Sequence, residues 1–218
     1  MILGSRFVAP LRVDAEQQKA NIMLLSDMID QWVICQKNWR YLENIFKASD
    51  IKQALAQTTA QFNGVDKFFK ALMVRTNKTS KCMSIVKQYP ATLEQLIVQN
   101  EILDTCQKSL EDYMEKKRRA FPRFYFLSDD ELIDILANSK DLDIIQMHLK
   151  ACFDNVVKLT IIDEDVIEQI HSNEKEVVKL KKVVRTKEVI EKWLDMLQST
   201  IRETLHSCFK DAMKDYNN

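Results

Sequence analysis

Residues 14–47, DAEQQKANIMLLSDMIDQWVICQKNWRYLENIFK, decide the architecture. Within them Ile22, Leu25, Ile29, Trp32, Trp39 and Phe46 recur at spacings of three, four and seven, the period of one face of an α-helix. At about 1.5 Å per residue such a helix runs roughly 50 Å if unbroken, more than a small domain needs. Downstream, Ser49 and Asp50 are helix-capping types, and they open a shorter helix through Ala60. Another is expected from Val65 to about Arg75, with Gly64 as the break between the two. Tyr89-Pro90 ends the next short segment. Thr92 and Gln95 form a capping-box pattern for a helix to about Arg119, whose stripe is Leu93, Leu96, Leu103, Leu110 and Met114, interrupted by Asn100 and Gln107.

The character changes at Phe121. The run Phe121-Pro122-Arg123-Phe124-Tyr125-Phe126-Leu127 holds four aromatics in seven residues and reads as a short strand with Pro122 at its edge. Strand alternation would put aromatics on both faces, so at least three of the four should be buried. Ser128 and Glu131 make a second capping box, for a helix from Asp129 to about Ala137, and a further helix covers roughly Asp143 to Val156. Three β-rich runs follow, starting at Val157, Val166 and Val177, and Asp163-Glu164-Asp165 and Ser172-Asn173-Glu174-Lys175 supply the turns of an antiparallel meander. A last helix spans about Lys187 to Met213, with Ile190, Trp193, Leu194, Leu197, Ile201, Leu205 and Cys208 on its buried side. The division expected is a helical part over 1–120, a mixed part over 121–184 and a C-terminal helix over 185–218.

Composition removes many function classes. The 218 residues include 2 glycines and 3 prolines, where average usage would supply roughly 15 and 11. Neither Gly4 nor Gly64 can build a phosphate cradle or a dinucleotide fingerprint, so nucleotide chemistry is not expected here. Lys and Arg number 32 and Asp and Glu number 32, a balance that offers no electrostatic footprint for nucleic acid or an anionic membrane. The five cysteines, an odd number with no C-x-x-C, read as reduced thiols of an intracellular protein. The start, Ile2 to Val8, reads as a cut through a larger chain.

Titratable clusters have plain readings beside the chemical ones. His148 and Cys152, four apart, could converge on a metal; a buried cysteine beside a surface histidine is the commoner arrangement. His171 and His206 lack a nucleophile context. Lys116-Lys117-Arg118-Arg119 could be a nucleic-acid or localisation signal, or a solvated last turn that favours the helix dipole. Asp129, Asp130, Glu131 and Asp134 belong to a helix's first turn rather than to a catalytic pair. Trp32 and Trp39, seven apart, read as core rather than contact surface.

Several motifs resemble the linker region of dynein heavy chains. They are Trp32-x-x-x-Gln36-x-x-Trp39-x-Tyr41-Leu42-Glu43-x-Ile45-Phe46 with Ser49-Asp50-Ile51, then Phe62-x-x-Val65-Asp66, then Lys117-Arg118-x-x-Phe121 through Leu127 with Ser128-x-Asp130-Glu131-Leu132. Gln146-x-His148-Leu149-Lys150-x-Cys152-Phe153, the start Ile2 to Phe7 and Glu191-x-Trp193-Leu194 complete the match, which covers nearly the whole chain and is similar to axonemal, inner-arm members. The sequence departs at Met147, where proline is common, at Ala151, where lysine is usual, and at Lys175, where a Ser-x-Glu-Gly-Glu turn has glycine. Lysine resists φ > 0, so the hairpin turn is the feature put in question.

The resemblance implies a mainly α fold, an elongated stack of antiparallel helical bundles with a small antiparallel β-sheet, acting as a mechanical lever. The implied partner is the AAA+ ring of the same heavy chain; other dynein subunits and microtubules are reached only through the parent motor, in the cytoskeleton of a ciliary axoneme. Hydrolysis of ATP would lie in the ring, with no cofactor, metal or catalytic residue assigned to this segment and no nucleic-acid or membrane partner. Trp32, Trp39, Tyr41, Phe46, Phe121, Pro122, Arg123, Phe124, Tyr125 and Phe126 are the structural and interaction candidates. The competing class is a free-standing helical adaptor whose grooves bind partner helices.

Overall fold

A computed structural model describes residues 4, 8–79 and 81–216. The motif at residues 2–7 lies outside these, Gly4 excepted. Eight α-helices and one three-stranded sheet make up the described residues: α1 (Arg12–Ile45), α2 (Ser49–Ala54), α3 (Ala56–Lys78), α4 (Cys82–Gln88), α5 (Thr92–Ala120), α6 (Asp129–Ala137), α7 (Leu142–Cys152), β1 (Val156–Ile162), β2 (Val166–Ser172), β3 (Val177–Arg185) and α8 (Ile190–Tyr216). The mainly α class with a small antiparallel sheet is thus the fold. Two compact units are present, one of residues 1–47 and 52–110, the other of 48–51 and 111–218.

In the first unit α1 is continuous for 34 residues, with neither glycine nor proline inside it. Its buried line is Met28, Cys35, Leu42 and Ile45, continued by Phe46. This corrects the stripe read from sequence: Ile22 and Ile29 are exposed, and Trp32 and Trp39 are half-buried. The centre of the seam lies at every seventh residue, and the bulky tryptophans stand at its margin rather than in it. Helix α3 runs through Gly64 without a break, contrary to the two helices expected. One glycine in a helix costs about 1 kcal/mol relative to alanine, and Phe62, Val65, Phe69 and Leu72 bury enough surface around it to carry the helix across. On α5, Leu96, Leu103 and Leu110 are buried, and so is Asn100. The Asn100 amide donates to the Gln31 carbonyl oxygen at 3.1 Å and to Gln31 Oε1 at 2.9 Å, so this polar interruption of the stripe is bonded across the seam to α1.

In the second unit Ser128 and Glu131 form the reciprocal capping box that opens α6. Strands β1, β2 and β3 pair antiparallel in chain order. Both outer strands are met by side chains from helices: Gln146 of α7 accepts from the Leu159 N–H at 3.1 Å, and Thr204 of α8 accepts from the Lys181 N–H at 3.0 Å. These bonds blunt edges that would otherwise recruit further strands. The buried line of α8 is Ile190, Trp193, Leu194, Leu197, Thr200 and Thr204. Leu205 and Cys208, expected there, are exposed, because the helix turns its threonines rather than its aliphatics toward β3.

The aromatic run is not a strand. Pro122–Phe126 is a 3-10 helix flanked by extended Phe121 and Leu127. With three residues per turn, positions 121, 124 and 127 share one side. All three are buried, while Tyr125 is 54% and Phe126 72% exposed, so two of the four aromatics are core and not three. Pro122 supplies the fixed φ that a helical first turn accepts and needs no N–H there.

Candidate functional site

The residues singled out from sequence fall into two groups, one in each unit. In the first, Trp39 is the organising side chain. Its Nε1–H donates to Asp66 Oδ1 at 3.0 Å, its ring lies 4.8 Å from that of Phe69, and Lys70 Nζ sits 5.9 Å above it. Lys70 also pairs with Asp66 at 2.8 Å, and this bond is the chief reason its ammonium is held above its ordinary pKa. Phe46 is buried and stacks on Phe62 at 5.2 Å. Trp32 is half-buried, and Tyr41 is 41% exposed. Trp39 thus ties α1 to α3 through ring, hydrogen bond and cation together.

In the second, Phe121 meets Phe124 edge-on at 5.0 Å and Phe153 at 6.2 Å. Arg123 is the hub. Its Nη1 donates to the Cys152 carbonyl at 2.7 Å, its Nε donates to Gln198 Oε1 at 2.5 Å, and its guanidinium lies 5.0 Å over Phe153. It therefore satisfies an orphan carbonyl at the end of α7 while gripping α8. Burial pushes the Cys152 thiol up to about 11, outweighing the opposing pull of Arg123. Tyr125 donates to Glu115 Oε1 at 2.9 Å; that hydrogen bond lowers the Glu115 pKa and raises that of the tyrosine.

The basic run 116–119 is not a uniformly solvated last turn. Lys117 pairs with Glu191 at 2.6 Å with both side chains under one-fifth exposed, Arg118 pairs with Asp129 at 2.7 Å, and Arg119 pairs with Glu115 at 3.0 Å. The Lys117–Glu191 pair was missed in the sequence, although both residues stand inside the quoted motifs, because nothing in chain order pairs residues 74 apart. Asp66, also inside a quoted motif, stands 27 residues from Trp39 and was missed as its partner for the same reason. His148 is not a surface histidine: its side chain is 17% exposed, and Nε2 lies 3.0 Å from Asp134 Oδ2. Asp134 itself lies beyond the first turn of α6. His171 Nε2 lies 2.6 Å from Thr160 Oγ1. Among the described residues no three His, Cys, Asp or Glu are grouped to hold a metal, and no helix is long and apolar enough to cross a membrane.

Both groups consist of aromatic, ionic and capping contacts that fix one helix against another. Residues 1–212 match the family described as dynein heavy chain, N-terminal region 2. The chain belongs to the dynein heavy chain family. It is similar to dynein axonemal heavy chain 3 of Mus musculus, 34% identical over 98% of this chain and 5% of the relative. Dynein axonemal heavy chain 10 of Homo sapiens is 35% identical over 99% of this chain and 5% of the relative. Dynein axonemal heavy chain 2 of Mus musculus is 42% identical over 72% of this chain and 4% of the relative. The chain thus corresponds to about one-twentieth of the length of these dyneins.

Proposed function

We propose that this segment belongs to the linker of an axonemal dynein heavy chain and works there as a mechanical lever. It passes shape change driven by ATP turnover in the AAA+ ring of the same heavy chain into movement along microtubules in a cilium or flagellum. The observation that carries this reading is the match of residues 1–212 to the N-terminal region of dynein heavy chains. The geometry supports it physically. A helix of 34 residues without glycine or proline, pinned along its seam and again at Trp39, resists bending. The Arg123 hub does the same for α7 and α8. Hydrolysis belongs to the ring in this reading, since Gly4 and Gly64 cannot form a phosphate cradle.

Val33→Pro in the parent motor tests the lever. Val33 is 61% exposed, so the substitution loses little packing. It removes a helical hydrogen bond and adds a clash, costing about 3 kcal/mol within α1. Basal ATPase should persist while microtubule gliding slows, with Val33→Ala as the control. Wild-type gliding by a folded Val33→Pro motor would remove α1 from the force path. Loss of ATPase and gliding together would count against separate transmission.

A further inference from the structure

We infer that the outer face of α1 is self-complementary and that a second copy of this chain docks on it antiparallel. Opposite the Met28–Cys35–Leu42 seam, α1 exposes Met23, Ser26, Asp30, Val33, Lys37 and Tyr41 at spacings of three or four. Ile29 and Ile34, 48% and 45% exposed, flank this row, and Met23 and Val33 are 56% and 61% exposed. Met23, Ile29, Val33, Ile34 and Tyr41 give the solvent side of α1 an apolar strip crossed by Asp30 and Lys37, the mixed character of an interaction surface.

The charges on α1 identify the occupant. Among the described residues, Asp27, Asp30, Lys37 and Arg40 have no ion-pair or hydrogen-bond partner in the chain. Their order mirrors about the Val33–Ile34 peptide: Asp30 and Lys37 lie equally far from it, and so do Asp27 and Arg40. A twofold axis at that peptide therefore sets Asp30 against Lys37 of the second copy and brings Asp27 to the level of its Arg40, with Val33 meeting Ile34 at the centre. Parallel pairing in register would set Asp30 against Asp30 and is repelled. A shallow hollow of about 630 Å³, lined by Val33, Gln36, Lys37, Arg40, Tyr41 and Asn44, lies on this stretch of α1, at the axial level that Met23, Asp27 and Asp30 of the second copy would occupy. The hollow is basic, and the segment at its level carries an apolar side chain and two carboxylates.

Sedimentation velocity on the 218-residue chain, from micromolar to millimolar and at low and high salt, tests this. A dimer that weakens with salt is expected. Asp30→Lys alone and Lys37→Asp alone should each weaken association by about tenfold or more. An equimolar mixture of the two variants should dimerise like wild type, because each then presents the charge the other lacks. Val33→Glu should abolish association with circular dichroism and melting unchanged, since all these positions are exposed and none interrupts the helix. A chain that stays monomeric at millimolar concentration overturns the proposal. So does a mixture no better than its parts, or a dimer that survives Val33→Glu.

Discussion

In the seam of α1 every seventh residue is buried, Met28, Cys35 and Leu42, and tryptophans stand at its margin; in the turn at 121–127 every third residue is buried, Phe121, Phe124 and Leu127. The two regions obey one rule, that side chains sharing a side of a helix are buried together, at two different periods. They differ in how burial is distributed. The seam spreads it over five turns of modest side chains, whereas the turn concentrates it in two phenylalanines locked edge-on and an arginine that holds the backbone of α7. A region of the second kind depends much more on single residues.

The largest expected effect follows from that concentration. Phe124→Ala should destabilise the second unit by about 3–5 kcal/mol, while Phe126→Ala, two positions on and 72% exposed, should stay within about 0.5 kcal/mol. Urea unfolding of the two variants checks it. Equal losses would mean that the three-residue period does not describe the turn in solution, and the comparison with the seam would collapse.

In the seam the strongest single tie is marginal rather than central. Trp39→Phe keeps a ring beside Phe69 but removes the donor to Asp66, so a loss of about 1.5 kcal/mol is expected, that of one hydrogen bond to a charged acceptor. A double-mutant cycle with Asp66→Ala would isolate the pair. A loss as large as that of Phe124→Ala would mean that the seam, too, hangs on one residue.

How far the sequence could be read tracks this difference. Long periodic segments were legible: α1, α5, the meander and the Ser128–Glu131 cap lie within a few residues of where their patterns put them, since many positions vote for one period. The seam's phase was read wrongly because aromatic bulk was weighted over position, which put Trp32 and Trp39 at its centre in place of Met28, Cys35 and Leu42. The 121–127 run misled for a different reason. Seven residues cannot distinguish alternation from a three-residue period, and β-favouring aromatics with a proline suit either. Among the candidates, the bulky residues could be named in advance, but their partners could not: Asp66 for Trp39, and Cys152 with Gln198 for Arg123, are set by tertiary approach alone.

The smallest effect lies in the β2–β3 turn, where sequence and backbone disagree openly. Lys175 holds φ at 69°, a left-handed value that costs a side chain bearing Cβ about 1 kcal/mol, and it does so in a turn closed by the Lys175 N–H to Ser172 carbonyl bond at 3.2 Å. The turn survives the absence of glycine because Ser172 Oγ accepts from the N–H groups of Glu174 and Glu176, at 3.2 and 3.1 Å, and so over-determines it. Lys175→Gly relieves the left-handed strain but frees the unfolded chain, which offsets about half or more of the relief, so the net gain should be at most about 0.5 kcal/mol, or roughly 1–2 °C in melting temperature. Lys175→Ala shortens the side chain while keeping its Cβ and should give no such gain. If the alanine variant matches the glycine variant, the lysine side chain and not the backbone is what the turn resists. If neither exceeds wild type, the Ser172 bonds already hold a conformation with no strain left to release.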